Sequence, residues 1–191
     1  MSSSSSTSIL LALRELAAAA ERSAQVLEAD LTRALAMVRA TVDRRGTLFF
    51  CGNGGSAADA QHMATEYVVR YTRNRRAYPA IALTTDSSLI TAAGNDFGFD
   101  HIFERQIEAL ARPGDLLVIH STSGNSTNVL LAAAAARARG VEVLALSGKD
   151  GGKLRDVADV CIVVPSDRTD RTQELHLCIQ HAICDAIEAT L

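Results

Sequence analysis

Two histidines in this 191-residue sequence stand at spacings suited to holding a metal ion or moving a proton. His62 precedes Glu66 by four residues, and Gln173 precedes His181 by eight. On helices, both spacings put the two side chains on one face. Two helices that each present a histidine with a carboxylate or an amide would assemble a three- or four-ligand nitrogen/oxygen site. His176, three residues after Gln173, competes with His181 for that role, whereas His101 and His120 have no such companion. Two further segments suit an anion. Cys51-Gly52-Asn53-Gly54-Gly55-Ser56 places three glycines at what reads as a helix start, where backbone N–H groups can approach a phosphate. Its Gly52-x-Gly54-x-x-Ala57 core formally fits a dinucleotide fingerprint, but no acidic residue ends the following strand at the required spacing of roughly 20 residues. A Walker phosphate loop is excluded, because Gly-Lys-Ser/Thr is absent. Ser121-Thr122-Ser123-Gly124-Asn125-Ser126-Thr127 carries five hydroxyls in seven positions, whereas a simple helix cap needs one. Hydroxyls crowded before a helix form a neutral cradle for phosphate oxygens.

The surrounding pattern supplies elements to position these groups. Short apolar runs at 47–51, 80–83, 115–120, 141–146 and 160–164 read as strands. Helical stretches at 56–70, 87–93, 101–111, 126–139, 152–157 and from 170 to the end separate or follow them. Continuously apolar strands alternating with helices predict an α/β fold, a three-layer α/β/α sandwich around a five-stranded parallel sheet of flavodoxin-like type. Ligands then collect at the carboxyl ends of the strands, where both loops fall. Residues 9–45 form an Ala/Leu-rich segment without Gly or Pro, read as one long helix or two abutting ones and ended by Gly46. Both its sides carry apolar residues, more than one domain can cover, so packing against a second subunit is expected.

Composition narrows the class. A hydrophobic fraction of 48% over this length supports one domain, 9–191, behind a serine-rich leader at 1–8 expected to be disordered. A net charge of −3 with scattered basic residues gives no nucleic-acid footprint. The one dense basic cluster, Arg73, Arg75 and Arg76, reads as a solvated loop or a subunit contact. The apolar stretch at 9–20 is interrupted by Arg14 and Glu15 and lacks a preceding basic region, so neither a signal peptide nor a membrane span is expected. Four cysteines without paired motifs suit reduced, packed thiols, and the expected location is the cytoplasm.

As a set, these motifs identify a family. Gly52-Asn53-Gly54-Gly55-Ser56-Ala57-Ala58-Asp59-Ala60-Gln61-His62 with Glu66, then Ala82-Leu83-Thr84-Thr85-Asp86, Gly94-Asn95-Asp96, Ser121-Thr122-Ser123-Gly124-Asn125-Ser126 and Gln173-Glu174-x-His176, closely resemble the bacterial phosphoheptose (sedoheptulose-7-phosphate) isomerases. The match runs in order from about Gly46 to the C-terminus, while the Ser-Thr-Ser-Gly-x-Ser loop alone would indicate only the wider sugar-isomerase (SIS) superfamily. The resemblance implies an SIS domain in a homotetramer, with active sites between subunits and one zinc ion per subunit. It implies zinc ligands at His62, Glu66, Gln173 and His181, and so favours His181 over His176. It implies substrate contacts at Asn53, Gly54, Gly55, Ser56, Glu66, Asn95, Asp96, Ser121, Thr122, Ser123, Ser126 and Gln173. The implied reaction converts sedoheptulose 7-phosphate to D-glycero-D-manno-heptose 7-phosphate through an enediol, the first step toward nucleotide-activated heptose. Its acid–base steps fall to Glu66 and His181, in either order. The alternative is a non-catalytic SIS protein that binds a replication initiator or senses a sugar phosphate; such relatives lack the metal residues. Three departures stand out: Thr172 replaces an aliphatic residue, Arg76 replaces a proline, and the leader matches nothing.

Overall fold

A computed structural model describes residues 2–190; Met1 and Leu191, the outer ends of the expected leader and domain, lie outside the described residues. The amino-terminal segment is two helices, α1 (Ser2–Val26) and α2 (Glu28–Asp43), which break at Leu27. α1 begins inside the serine-rich stretch expected to be disordered. Serine costs a helix only about 0.5 kcal/mol per residue relative to alanine, and the apolar run from Ile9 carries the same helix onward.

Five strands follow: β1 (Leu48–Gly52), β2 (Ala80–Ala82), β3 (Leu116–Ser121), β4 (Glu142–Gly148) and β5 (Val160–Val164). They form one sheet in the order β2-β1-β3-β4-β5, and every pairing is parallel. Between and after them run α3 (Gly55–Val68), α4 (Ser87–Phe97), α5 (Glu104–Leu110), α6 (Thr127–Ala138), α7 (Leu154–Val157) and α8 (Thr169–Glu188). Side chains alternate across the sheet and feed two cores. Phe50, Leu116, Val118 and Ile162 pack with Val38, Met63, Tyr67 and Ile183 from α2, α3 and α8 on one face. Phe49, Leu117, Ile119 and Val143 pack with Ile107, Val129 and Ala133 from the other helices on the opposite face. The three layers match the sequence expectation.

Most later boundaries shift by one or two residues, and two differences are larger. α4 runs four residues past the expected 93, through Gly94, and stops at Gly98, whose φ of 90° a helix cannot adopt. The expected helix at 101–111 is instead a short 3₁₀ turn (Phe99–His101) followed by α5, with Ile102 and Phe103 buried between the two. The strand order carries the functional consequence. From β1 the chain passes to β2 on one side, and β3 lies on the other, so the loops leaving β1 and β3 flank a switch point where open α/β sheets bind ligands.

Candidate active site

The glycine loop after β1 and the serine loop after β3 form one wall of that crevice. Gly52 ends β1 against its neighbour: a Cβ there would come 2.7 Å from both the His120 and the Ser56 carbonyl oxygens. Asn53 and Asn128 exchange two side-chain hydrogen bonds of 2.9 and 2.8 Å, which lock the two loops together. Gly54 occupies the cap position of α3, and both it and Gly55 are exposed at a helix start that suits an anion, although the Ser56 N–H already donates to the Asn53 carbonyl at 3.0 Å. Ser56, by contrast, is buried. In the serine loop, Gly124 has a φ of 64° and lies so close to Gly151 that a Cβ would fall 1.9 Å from its carbonyl oxygen. The Ser121 hydroxyl accepts from the Gly124 N–H at 3.2 Å, and Ser123 accepts from Asn125 at 3.3 Å. Ser126 sits at the cap position of α6 in an extended conformation, yet its hydroxyl makes no capping bond. Thr122, Ser123 and Ser126 are half-buried at this mouth.

Three of the four expected metal ligands converge. One donor atom each from His62, Glu66 and His181 lies within 4.8 Å of the others. His62 Nε2 is 3.0 Å from His181 Nε2 and 3.1 Å from Glu66 Oε1. Donors about 2.1 Å from a common ion in tetrahedral arrangement would stand about 3.4 Å apart, so this two-imidazole, one-carboxylate set fits a small cation. Partial burial and then the His62 charge lower the His181 pKa, with Glu66 opposing. That balance favours the neutral imidazole that binds metals. Gln173 stands about two turns back on α8, its amide against Gly55, where a Cβ would meet Nε2 at 2.6 Å. That contact places its amide beside the glycine loop. Asn95 and Asp96 hydrogen-bond to each other at 2.7 Å on the exposed part of α4. Among the described residues no hydrogen bond joins them to the serine loop or to the donors.

The competing histidines have other roles. His176 is buried and bonds the Ser147 carbonyl from Nε2 at 3.1 Å; a carbonyl only accepts, so Nε2 carries the proton. Buried His120 lies 3.2 Å from the Gln180 amide nitrogen, which donates to it. Burial, and for His120 also the nearby His176, pushes these pKa values down to about 3 for His120 and about 4 for His176. Both imidazoles are neutral packing groups that seat α8 on the sheet. His101 pairs with Glu104. Thr172, the unusual residue before Gln173, donates to the Arg168 carbonyl at 2.9 Å and packs on Gly148. All four cysteines are free, but only Cys51 and Cys184 are buried; Cys161 is half-buried and Cys178 exposed.

Sequence reasoning missed Tyr71, whose ring stacks on His181 with centroids 5.2 Å apart. Of the two readings of the basic cluster, a solvated loop or a subunit contact, the solvated one fails for Arg75. Arg75 is buried in an ion pair with Glu188 at 2.9 Å, with side chains 4% and 0% exposed. Charge counting could not reveal this, because the partner lies 113 residues away.

Known proteins resemble this chain in sequence and fold. Residues 13–148 match the family model described as SIS domain. The chain is 52% identical over 161 residues to the phosphoheptose isomerase of Rhodospirillum rubrum, covering 84% of this chain and 86% of that one. It is 50% identical over 181 residues to that of Bordetella avium, covering 93% and 92%. The solved phosphoheptose isomerase of Neisseria gonorrhoeae superposes with a TM-score of 0.91 at 42% identity, covering 96% of this chain and 98% of that one. No helix among the described residues is long and apolar enough to cross a membrane. Fold, loops and close relatives agree: the chain belongs to the phosphoheptose isomerase family of SIS-domain enzymes.

Proposed function

We propose that this enzyme converts sedoheptulose 7-phosphate to D-glycero-D-manno-heptose 7-phosphate, with zinc held by His62, Glu66 and His181 and with Gln173 as the fourth ligand. The observation that carries the reading is the convergence of three donor atoms from α3 and α8, in a member of this family, beside two loops suited to phosphate. His62 lies seven residues into α3 beyond Gly55, about 10 Å from the loops along the helix, a length comparable to an extended heptose phosphate. In this arrangement Ser121, Thr122, Ser123 and Ser126 hold the phosphate with the N–H groups of Gly54 and Gly55, beside Ser56. Asn53, Asn95 and Asp96 take the sugar hydroxyls. Bound zinc supplies Lewis-acid polarisation of the carbonyl and adjacent hydroxyl oxygens. Glu66 and His181 divide the proton transfers. One takes a proton from C1 while the C2 oxygen gains one, giving the enediol; the O1 proton then leaves as C2 is protonated, giving the aldose.

We further read the protein as a cytoplasmic homotetramer that opens the route to nucleotide-activated heptose. The support for assembly is apolar surface that one subunit leaves uncovered. Leu31, Leu35, Leu175, Ile179 and Ile183 line a groove of about 470 Å³ between α2 and α8, and Leu13 and Val26 of α1 are 59% and 63% exposed. The test combines elemental analysis with an assay on sedoheptulose 7-phosphate. About one zinc per subunit and turnover are expected, with both lost in His62→Ala. Full metal content and activity in His62→Ala would defeat the metal assignment.

A further inference from the structure

We propose that the buried Arg75–Glu188 pair, acting through Tyr71, positions the imidazole of His181 for metal binding, a role that rests on the ligand assignment above. Five hydrogen bonds end on the Glu188 carboxylate, one of them from the Thr72 hydroxyl at 3.3 Å. The backbone N–H groups of Tyr71, Thr72 and Arg73 donate to it at 2.8, 2.9 and 2.8 Å, and Arg75 Nε donates at 2.9 Å. Burial opposes its charge, but these donors and the guanidinium outweigh burial, so the carboxylate stays ionised. The other nitrogens of Arg75 turn to α3. Nη1 donates to the Tyr67 carbonyl at 2.8 Å and Nη2 to the Glu66 carbonyl at 2.6 Å. One guanidinium thus ties the end of α8 to the helix end that carries Glu66.

The loop so fixed begins at Tyr71. With its backbone held by Glu188, Tyr71 lays its ring on His181 at an interplanar angle of 24°, while His62 meets the same imidazole at 5.0 Å and 55°. In this stacked position Nε2 of His181 lies 3.0 Å from Nε2 of His62, within the cluster that Glu66 completes. An imidazole on an exposed helix face would otherwise sample several rotamers, and a ligand held in its binding rotamer loses less entropy when the ion arrives.

Metal affinity is the direct readout, measured by competition with a chelating dye on apoprotein reloaded with zinc, and by cobalt(II) absorption as a geometry probe. Tyr71→Ala should weaken affinity 10- to 100-fold, the usual range for residues that orient ligands, and broaden the cobalt spectrum. Tyr71→Phe keeps the ring and should stay within about threefold of wild type. Glu188→Gln should follow Tyr71→Ala; if it does not fold, the two Tyr71 variants decide. Wild-type affinity and spectrum in Tyr71→Ala would overturn the proposal, and so would a Tyr71→Phe variant as weak as Tyr71→Ala. His62→Ala separates the layers. If it still binds zinc like wild type, the ligand assignment itself fails; if it loses zinc while Tyr71→Ala does not, only the positioning role fails.

Discussion

Acidification from pH 7 to pH 5 should weaken the fold through two imidazoles that cannot take up protons where they sit. His120 and His176 are buried, with pKa values pushed down to about 3 and about 4 against an ordinary 6.5. Both folded values lie below the unfolded one, so the unfolded chain binds more protons from about pH 6.5 downward, and stability falls as pH falls through that window. At pH 5 each imidazole lies 1.5 units below its unfolded pKa, which amounts to about 2 kcal/mol each and about 4 kcal/mol for the pair. Glu188 does not contribute to this change. Its pKa is held down to about 2 from 4.5, so its stabilisation is full above 4.5 and is lost only below that. Urea unfolding followed by circular dichroism, at fixed protein concentration and ionic strength, should show a midpoint lower by about 2 M at pH 5, for a slope of about 2 kcal/mol/M. His176→Gln keeps a donor near the Ser147 carbonyl without a titrating ring and should remove about half of that loss. Equal midpoints at both pH values would refute the reasoning. So would NMR titration of either imidazole near its ordinary pKa in the folded protein.

Other expectations follow from the two loops and the helices. Ser126→Ala should change stability by less than about 0.5 kcal/mol, because its hydroxyl makes no capping bond, yet raise KM for the sugar phosphate with little loss of kcat. A loss of about 1 kcal/mol or more in thermal unfolding, with unchanged KM, would show a cap instead of a phosphate ligand. Gly124→Ala should cost at least about 2 kcal/mol, since a positive φ combines there with a backbone collision; a melting temperature equal to wild type would contradict the loop geometry. Light scattering should give four times the subunit mass at micromolar concentration, and a stable monomer would contradict the proposed use of the exposed α1 face.

The fold was legible where local chemistry was unambiguous. Strands such as Leu116–Ser121 open with an unbroken apolar run, Leu116 to Ile119, because both faces of a parallel sheet are covered. Helix spacing likewise brought His62 and Glu66 onto one face. The resemblance, rather than spacing, chose His181 over His176, and the structure gives the physical reason: His176 points into the core at Ser147, and His181 outward at His62. Ends of elements were less legible. The expected helix ended at 93, just before Gly94, yet a glycine inside a helix costs only about 1 kcal/mol, and the positive φ at Gly98 sets the true end. Arg75 and Tyr71 were invisible for a different reason. Their roles depend on Glu188 and His181, more than 100 residues away, and nothing in the local sequence distinguishes a buried arginine from its solvated neighbours.

The central claim is that Glu66 and His181 move the protons of a zinc-assisted ketose–aldose exchange. It is tested most directly by the kcat for sedoheptulose 7-phosphate of Glu66→Gln and His181→Gln, with zinc content measured on the same samples. Turnover should fall by about 10² to 10⁴ for each variant, and by more where zinc is also lost. Near-normal turnover in both variants while they remain zinc-loaded would contradict it.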